Sequence, residues 1–193
     1  VHPPMFGATV KSFDASKAKA VPGVVDVVPM PTGLAVVAEN TWAAIKGREA
    51  LTVEWDDSKA EKRSSAQLAE EFRALLAKPA AATARKDGDV DAAFKAAATT
   101  LEATYEFPYL AHAPMEPLNC TVQLSGQGAD ARAELWLGTQ MPGFDTLAAA
   151  KVLDVAPQNV KMNVQMAGGG FGRRAIMSSE YVVEACGVAK AAR

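Results

Sequence analysis

The chain has only two cysteines, and no cysteine pair stands at metal-ligand spacing. A thiolate zinc or an iron–sulfur cluster held by this chain alone is excluded, because those sites need clustered cysteines. Cys120 falls in an apolar strand pattern and Cys186 in an apolar helical one. Two buried thiols fit that setting, with a disulfide as the alternative. Apolar runs are short as well: none approaches the roughly 20 residues that a membrane-spanning helix needs. Positive charge is not in excess either, and a net charge of -2 argues against nucleic acid as a partner. Internal repeats are absent. An initiator methionine is absent too: the chain opens at Val1-His2-Pro3-Pro4 and stops inside an Ala-rich helical pattern at Arg193. The expectation is a piece cut from a longer chain, with no targeting signal legible.

What is present is an ordinary globular composition, 49% hydrophobic and 22% charged over 193 residues, enough for one large domain or two small ones. Phe6 to Phe13 reads as a strand, and a short helix follows from Asp14, ended by Val21-Pro22-Gly23. Val24 to Val28 and Leu34 to Ala38 read as strands around a turn at Thr32-Gly33. Asn40 caps a helix through Arg48, and Leu51 to Trp55 alternates as a strand. Asp56 to Arg63 turns charged. A helix is expected over Ser65 to Ala77, with Leu68, Phe72, Leu75 and Leu76 on one face, and the Ala-rich stretch Lys78 to Lys86 reads as a linker.

A second unit begins near Gly88-Asp89, with a boundary expected between Asp57 and Gly88. A short helix over Val90 to Ala97 leads into a strand over Thr100 to Phe107. Asn119 to Leu124 and Ala133 to Leu137 read as strands across a polar turn. Gly143 to Leu153 reads as a helix with Phe144, Leu147, Ala148 and Val152 inward. Asn159 to Met166 alternates as a strand, and a final helix runs from Ser179.

Three constellations could carry chemistry. Gly168-Gly169-Gly170-Phe171-Gly172 follows a strand and precedes a helix. Such a loop lets backbone N–H groups approach an anion, although a tight turn without a ligand has the same composition. It is no Walker loop, lacking Gly-Lys-Ser/Thr, and it misses the last glycine of the dinucleotide fingerprint. Arg173 and Arg174, next along, fit an anion contact, a solvated face or a structural ion pair. The second constellation is Tyr109 to Pro117, where His112 and Glu116 stand four apart in a proline-bracketed loop. They suit either an acid–base pair or a rigid loop bonded to backbone. Gly138-Thr139-Gln140 is the third, at the end of a strand just before a helix; alone, its glutamine reads as solvent-exposed. His2 has no visible partner.

In this order, His112-Ala113-Pro114-Met115-Glu116-Pro117, Gly138-Thr139-Gln140 and Gly168 to Gly172 resemble the molybdenum hydroxylase family of xanthine dehydrogenase and aldehyde oxidoreductase. Ser12 to Val24 and Val36 to Val53 look like parts of that family's α/β-hammerhead domain. Gly88-Asp89-Val90-Asp91-Ala92-Ala93-Phe94 is similar to the start of its cofactor-binding domain. The ending Gly-Gly-Gly-Phe-Gly-Arg-Arg looks like the branch of isoquinoline 1-oxidoreductase and membrane-bound aldehyde dehydrogenase. Xanthine-type members carry Gly-Lys-Glu where Arg173, Arg174 and Ala175 stand here, which weighs against a purine substrate.

The resemblance implies an α+β fold: a hammerhead remainder over residues 1–57, a helix and linker over 58–87, and the first part of a molybdenum-cofactor-binding domain over 88–193. It implies a molybdopterin cofactor, in the cytosine dinucleotide form, whose dithiolene and not the protein holds the metal. Gln140 then matches the glutamine whose amide donates to an oxo ligand of molybdenum, and Gly169, Gly170, Phe171, Gly172 and Arg173 match the loop at the cofactor. The implied reaction is hydroxylation of an N-heteroaromatic or aldehyde carbon with oxygen from water. Electrons leave through a small [2Fe-2S] subunit to an acceptor. The family's catalytic glutamate lies downstream of this chain, so the piece alone is expected to bind no cofactor and to be inactive. Glu116 does not match that glutamate. Branch members often carry an export signal, which implies a periplasmic or membrane-associated site rather than the cytoplasm. The alternative is a non-catalytic binding or assembly module with the same fold.

Overall fold

A computed structural model describes residues 1–192; Arg193, the last residue of the expected cofactor domain, lies outside the described residues. Contacts divide the chain into two units, residues 1–61 with 112–193 and residues 62–111.

In the larger unit, β1 (Thr9–Asp14) pairs antiparallel with β4 (Thr52–Asp56), and β2 (Val24–Met30) pairs antiparallel with β3 (Gly33–Ala38). Between them lie the single-turn helix α1 (Ser16–Lys19) and α2 (Thr41–Ala50). The expected cap at Asn40 forms: its side chain accepts the Ala43 N–H at 2.9 Å, satisfying one of the orphan donors at a helix start. Ala18, Val27 and Leu34 form the small core of this part.

The third sheet positions the candidate site. Its order is β5 (Thr121–Ser125), β6 (Arg132–Leu137) and β7 (Val160–Val164), with β5–β6 antiparallel and β6–β7 parallel. Parallel neighbours need a crossover of a dozen or more residues, and α5 (Pro142–Leu153) supplies it. Along β6 the alternation buries Ala133, Leu135 and Leu137 on one face. They pack with Ala149, Ala150 and Leu153 of α5 and with Val182 and Cys186 of α6 (Glu180–Ala191). Burying a leucine such as Leu135 contributes about 1.5–3 kcal/mol. Both cysteines are free. Burial pushes the Cys186 thiol up to about 12 and the Cys120 thiol up to about 11, so neither is a ready thiolate.

The inward face of α5 differs from the expected one. Phe144 and Leu147 are exposed, while Asp145, Ala149, Ala150 and Leu153 are buried. Small alanines let α5 lie close against the sheet, and Asp145 turns inward because Thr139 donates a hydrogen bond to it. His2, expected to have no partner, lies 2.7 Å from Glu184 of α6, and the Thr32 hydroxyl donates to the same carboxylate. These bonds join the start of the chain to α6. They are part of why residues 1–61 and 112–192 form one unit, where the sequence suggested a division between Asp57 and Gly88.

The smaller unit holds α3 (Ser65–Leu76) and α4 (Val90–Ala96). A capping box between Ser64 and Gln67 starts α3, and the Asp89 carboxylate accepts the Ala92 N–H at 2.9 Å to start α4. Arg73 is ion-paired with Glu106, and Arg63 with Glu71 at 2.5 Å. The apolar face of α3 is not buried: Phe72, Leu75 and Leu76 are exposed. The strand expected over Thr100 to Phe107 does not form. Its residues pair with no strand among those described, and a lone strand leaves its backbone groups without a ladder. No helix among the described residues is long and apolar enough to cross a membrane.

Candidate functional site

Because β6 and β7 are parallel neighbours, the loops leaving their C-terminal ends emerge side by side, where open α/β sheets commonly place ligands. The loop after β6 carries Gly138-Thr139-Gln140; the loop after β7 carries Gly168 to Arg174. Gln140 meets the glycine loop directly. The Gln140 N–H donates to the Arg174 carbonyl at 3.3 Å, and the Arg174 N–H donates to Gln140 Oε1 at 3.3 Å. A Cβ built on Gly170 would fall 2.8 Å from that same oxygen, so only glycine admits the amide there.

The acceptor end of the Gln140 amide is committed to Arg174, which leaves its NH2 group as the end free to donate. Four consecutive backbone N–H groups, on Gly169, Gly170, Phe171 and Gly172, have no protein acceptor among the described residues. The backbone is left-handed at three of these four residues: φ is +109° at Gly169, +53° at Phe171 and +88° at Gly172. Unclaimed N–H groups in succession suit an anion or an oxygen-bearing group. A left-handed phenylalanine is uncommon and strained, a feature that clusters at functional sites. The Phe171 ring is exposed.

The two arginines, alike in sequence, have different fates. Arg173 donates to the Glu180 carboxylate, and its Nη1 is buried without a partner. Arg174 is 1% exposed and reaches four acceptors. Its Nε donates to the Gly169 carbonyl at 2.8 Å and its Nη1 to the Gly138 carbonyl at 3.3 Å. Its Nη2 donates to the Glu116 carbonyl at 3.1 Å and to Glu116 Oε2 at 2.7 Å. Glu116 also accepts the Gly168 N–H at 2.8 Å and the Asn119 amide at 3.1 Å. The Gly168 bond first, then those from Asn119 and Arg174, hold its carboxyl below the usual glutamate range, so it is ionised at neutral pH. His112 is exposed and makes no hydrogen bond among the described residues. The pair suspected from the spacing of His112 and Glu116 is thus not brought together, and Glu116 meets Arg174 instead. Tyr181 donates to the Gly138 carbonyl at 3.0 Å, tying α6 to the same junction.

A family model described as the molybdopterin cofactor-binding domain matches residues 75–193. The chain belongs to this family, that of the molybdenum hydroxylase large subunits. Over 197 aligned residues it is 33% identical to isoquinoline 1-oxidoreductase subunit beta of Brevundimonas diminuta, covering 95% of this chain and 25% of that one. It is 30% identical to the membrane-bound aldehyde dehydrogenase [pyrroloquinoline-quinone] of Gluconacetobacter polyoxogenes, covering 98% of this chain and 25% of that one. Among solved structures, quinoline 2-oxidoreductase from Pseudomonas putida 86 superposes with a TM-score of 0.62 at 20% identity. That likeness covers 97% of this chain and 29% of that one, and shows the fold. The α+β class expected from the sequence therefore holds for this molybdopterin-binding domain. The chain spans about a quarter of the length of the curated relatives it matches.

The glycine loop fits a cofactor of this kind on its own geometry. It offers four unclaimed N–H donors, an amide NH2 beside them and an exposed aromatic ring.

Proposed function

We propose that the chain is the part of a molybdenum hydroxylase large subunit that faces the metal end of the cofactor, with Gln140, Gly169, Gly170, Phe171, Gly172 and Arg173 as its contacts. The single observation that supports this most is the Gln140 amide: its oxygen is held by the Arg174 N–H, so its NH2 is oriented outward beside Gly170. When bound, the molybdenum cofactor in its cytosine dinucleotide form supplies the redox chemistry that hydroxylates an N-heteroaromatic or aldehyde carbon with oxygen from water. The Gln140 NH2 and the unclaimed loop N–H groups donate hydrogen bonds toward that centre, in fixed directions that need no rearrangement as charge shifts. Phe171 excludes water from one side. Electrons pass to a small [2Fe-2S] partner. Residues 1–57 are the hammerhead remainder, 58–87 a helix and linker, and 88–193 the start of the cofactor domain.

In the full-length enzyme, Gln140→Ala is expected to lower kcat about 10²–10³-fold, the scale of losing one preorganised donor, with a much smaller change in KM. A variant that melts like wild type, keeps its molybdenum and turns over at the wild-type rate refutes the assignment. The 193-residue chain by itself is expected to hold no molybdenum and to be inactive. Stoichiometric molybdenum found by metal analysis of the isolated chain would overturn that expectation. A full-length protein that also lacks molybdenum and activity would instead favour a non-catalytic module.

A further inference from the structure

We propose that Glu116 and the enclosed Arg174 form an ionic clasp that positions the glycine loop and Gln140, making both positioning residues and neither an acid, a base nor an anion ligand. The proposal rests on the cofactor-facing reading of that loop.

Three segments far apart in sequence meet at the Arg174 guanidinium: residue 116, residues 138–140 and residues 168–174. Its side chain is 0% exposed, and each of its three nitrogens donates to one of these segments. A buried charge is tolerated only when paired and fully hydrogen-bonded, and Glu116 is the charged partner here. Arg174 is thereby paired and enclosed: four of its five N–H donors are taken, and its side chain is not exposed to a ligand anion.

Glu116 holds the other side of the loop. Its N–H donates to the Gly168 carbonyl at 3.1 Å, while Gly168 returns its own N–H to Glu116 Oε2 at 2.8 Å. A Cβ at Gly168 would fall 2.5 Å from the Glu116 Cβ, so the two backbones approach as closely as glycine permits. The clasp thus fixes both ends of the loop, at Gly168 and Arg174, and leaves Gly169 to Gly172 arched between them with their N–H groups free. The Arg174 N–H holds the Gln140 oxygen, so the same residue that closes the loop also aims the amide. With its carboxylate part-exposed, the pair adds little net stability, which makes a specific geometry the better account of it.

The test uses the full-length subunit assembled with its partner, comparing wild type with Glu116→Ala and with the milder Glu116→Gln. Amide hydrogen exchange over residues 167–174, molybdenum per subunit, and kcat and KM per bound molybdenum are measured together. Both variants are expected to raise exchange at Gly168, Arg173 and Arg174, the amides of this loop that are hydrogen-bonded, by about tenfold or more, while the α5 amides stay protected. Molybdenum content should fall, and the fraction that keeps the metal should show a lower kcat with KM within about twofold. A lower melting temperature with unchanged loop exchange and unchanged kcat per molybdenum overturns the clasp and leaves a structural ion pair. If Glu116→Ala does not fold, Glu116→Gln decides by the same readouts. Wild type that carries no molybdenum defeats the cofactor reading, while loop exchange still decides whether the clasp exists.

Discussion

Helix α3 and helix α5 are each 12 residues long, yet they owe their existence to different things. The start of α3 has a complete capping box, and its sequence carries an amphipathic stripe, but no residue from 62 to 111 is buried. At α5 there is no side-chain cap, only Pro142 in the first turn, yet Ala149 is fully enclosed against β6 and β7. Local signals can start a helix without any core to receive it, and a packed core can hold a helix whose ends are weakly marked. The candidate site sits on the second kind of element. Precise placement of Gln140 and the glycine loop needs rigid strands beneath them, and the β6–α5–β7 crossover supplies them.

This contrast can be broken by substitution. The largest effect is expected from Leu135→Ala, in the enclosed face of β6, which should lower the unfolding free energy of the chain by about 2–5 kcal/mol in denaturant titration. A loss much below that range would mean the β6–α5–β7 core is not the rigid base inferred here. A smaller and purely local effect is expected from Ser64→Ala. Removal of the α3 cap should cost about 1 kcal/mol, read as faster amide exchange within Ser65–Leu76 and no change in α5. If Ser64→Ala also loosened α5, the two regions would be cooperating, and the comparison would fail.

Much of the site could be read before any coordinates. The glycine loop, Gln140 and their family order are local patterns, and so are the caps at Asn40, Ser64 and Asp89. The sequence missed the hub. Arg173 and Arg174 are adjacent and chemically identical, and nothing local says that one pairs with Glu180 while the other disappears beneath the loop. The loop between the prolines offered His112 and Glu116 as an acid–base pair, yet Glu116 is held by Arg174 while His112 is exposed, because the fold and not the spacing decides which groups meet.

By itself the sequence determined most of the secondary elements and the glycines able to approach a ligand, because those follow from periodicity, caps and glycine's lack of a side chain. The α+β class followed from the family resemblance. Tertiary structure alone decided which polar groups meet. The burial of Arg174, the inward turn of Asp145 and the free NH2 of Gln140 each depend on partners 6 to 58 residues away along the chain. A buried charge or amide takes its orientation from whichever distant acceptor the fold brings within about 3 Å, and chain-local patterns carry no record of that acceptor.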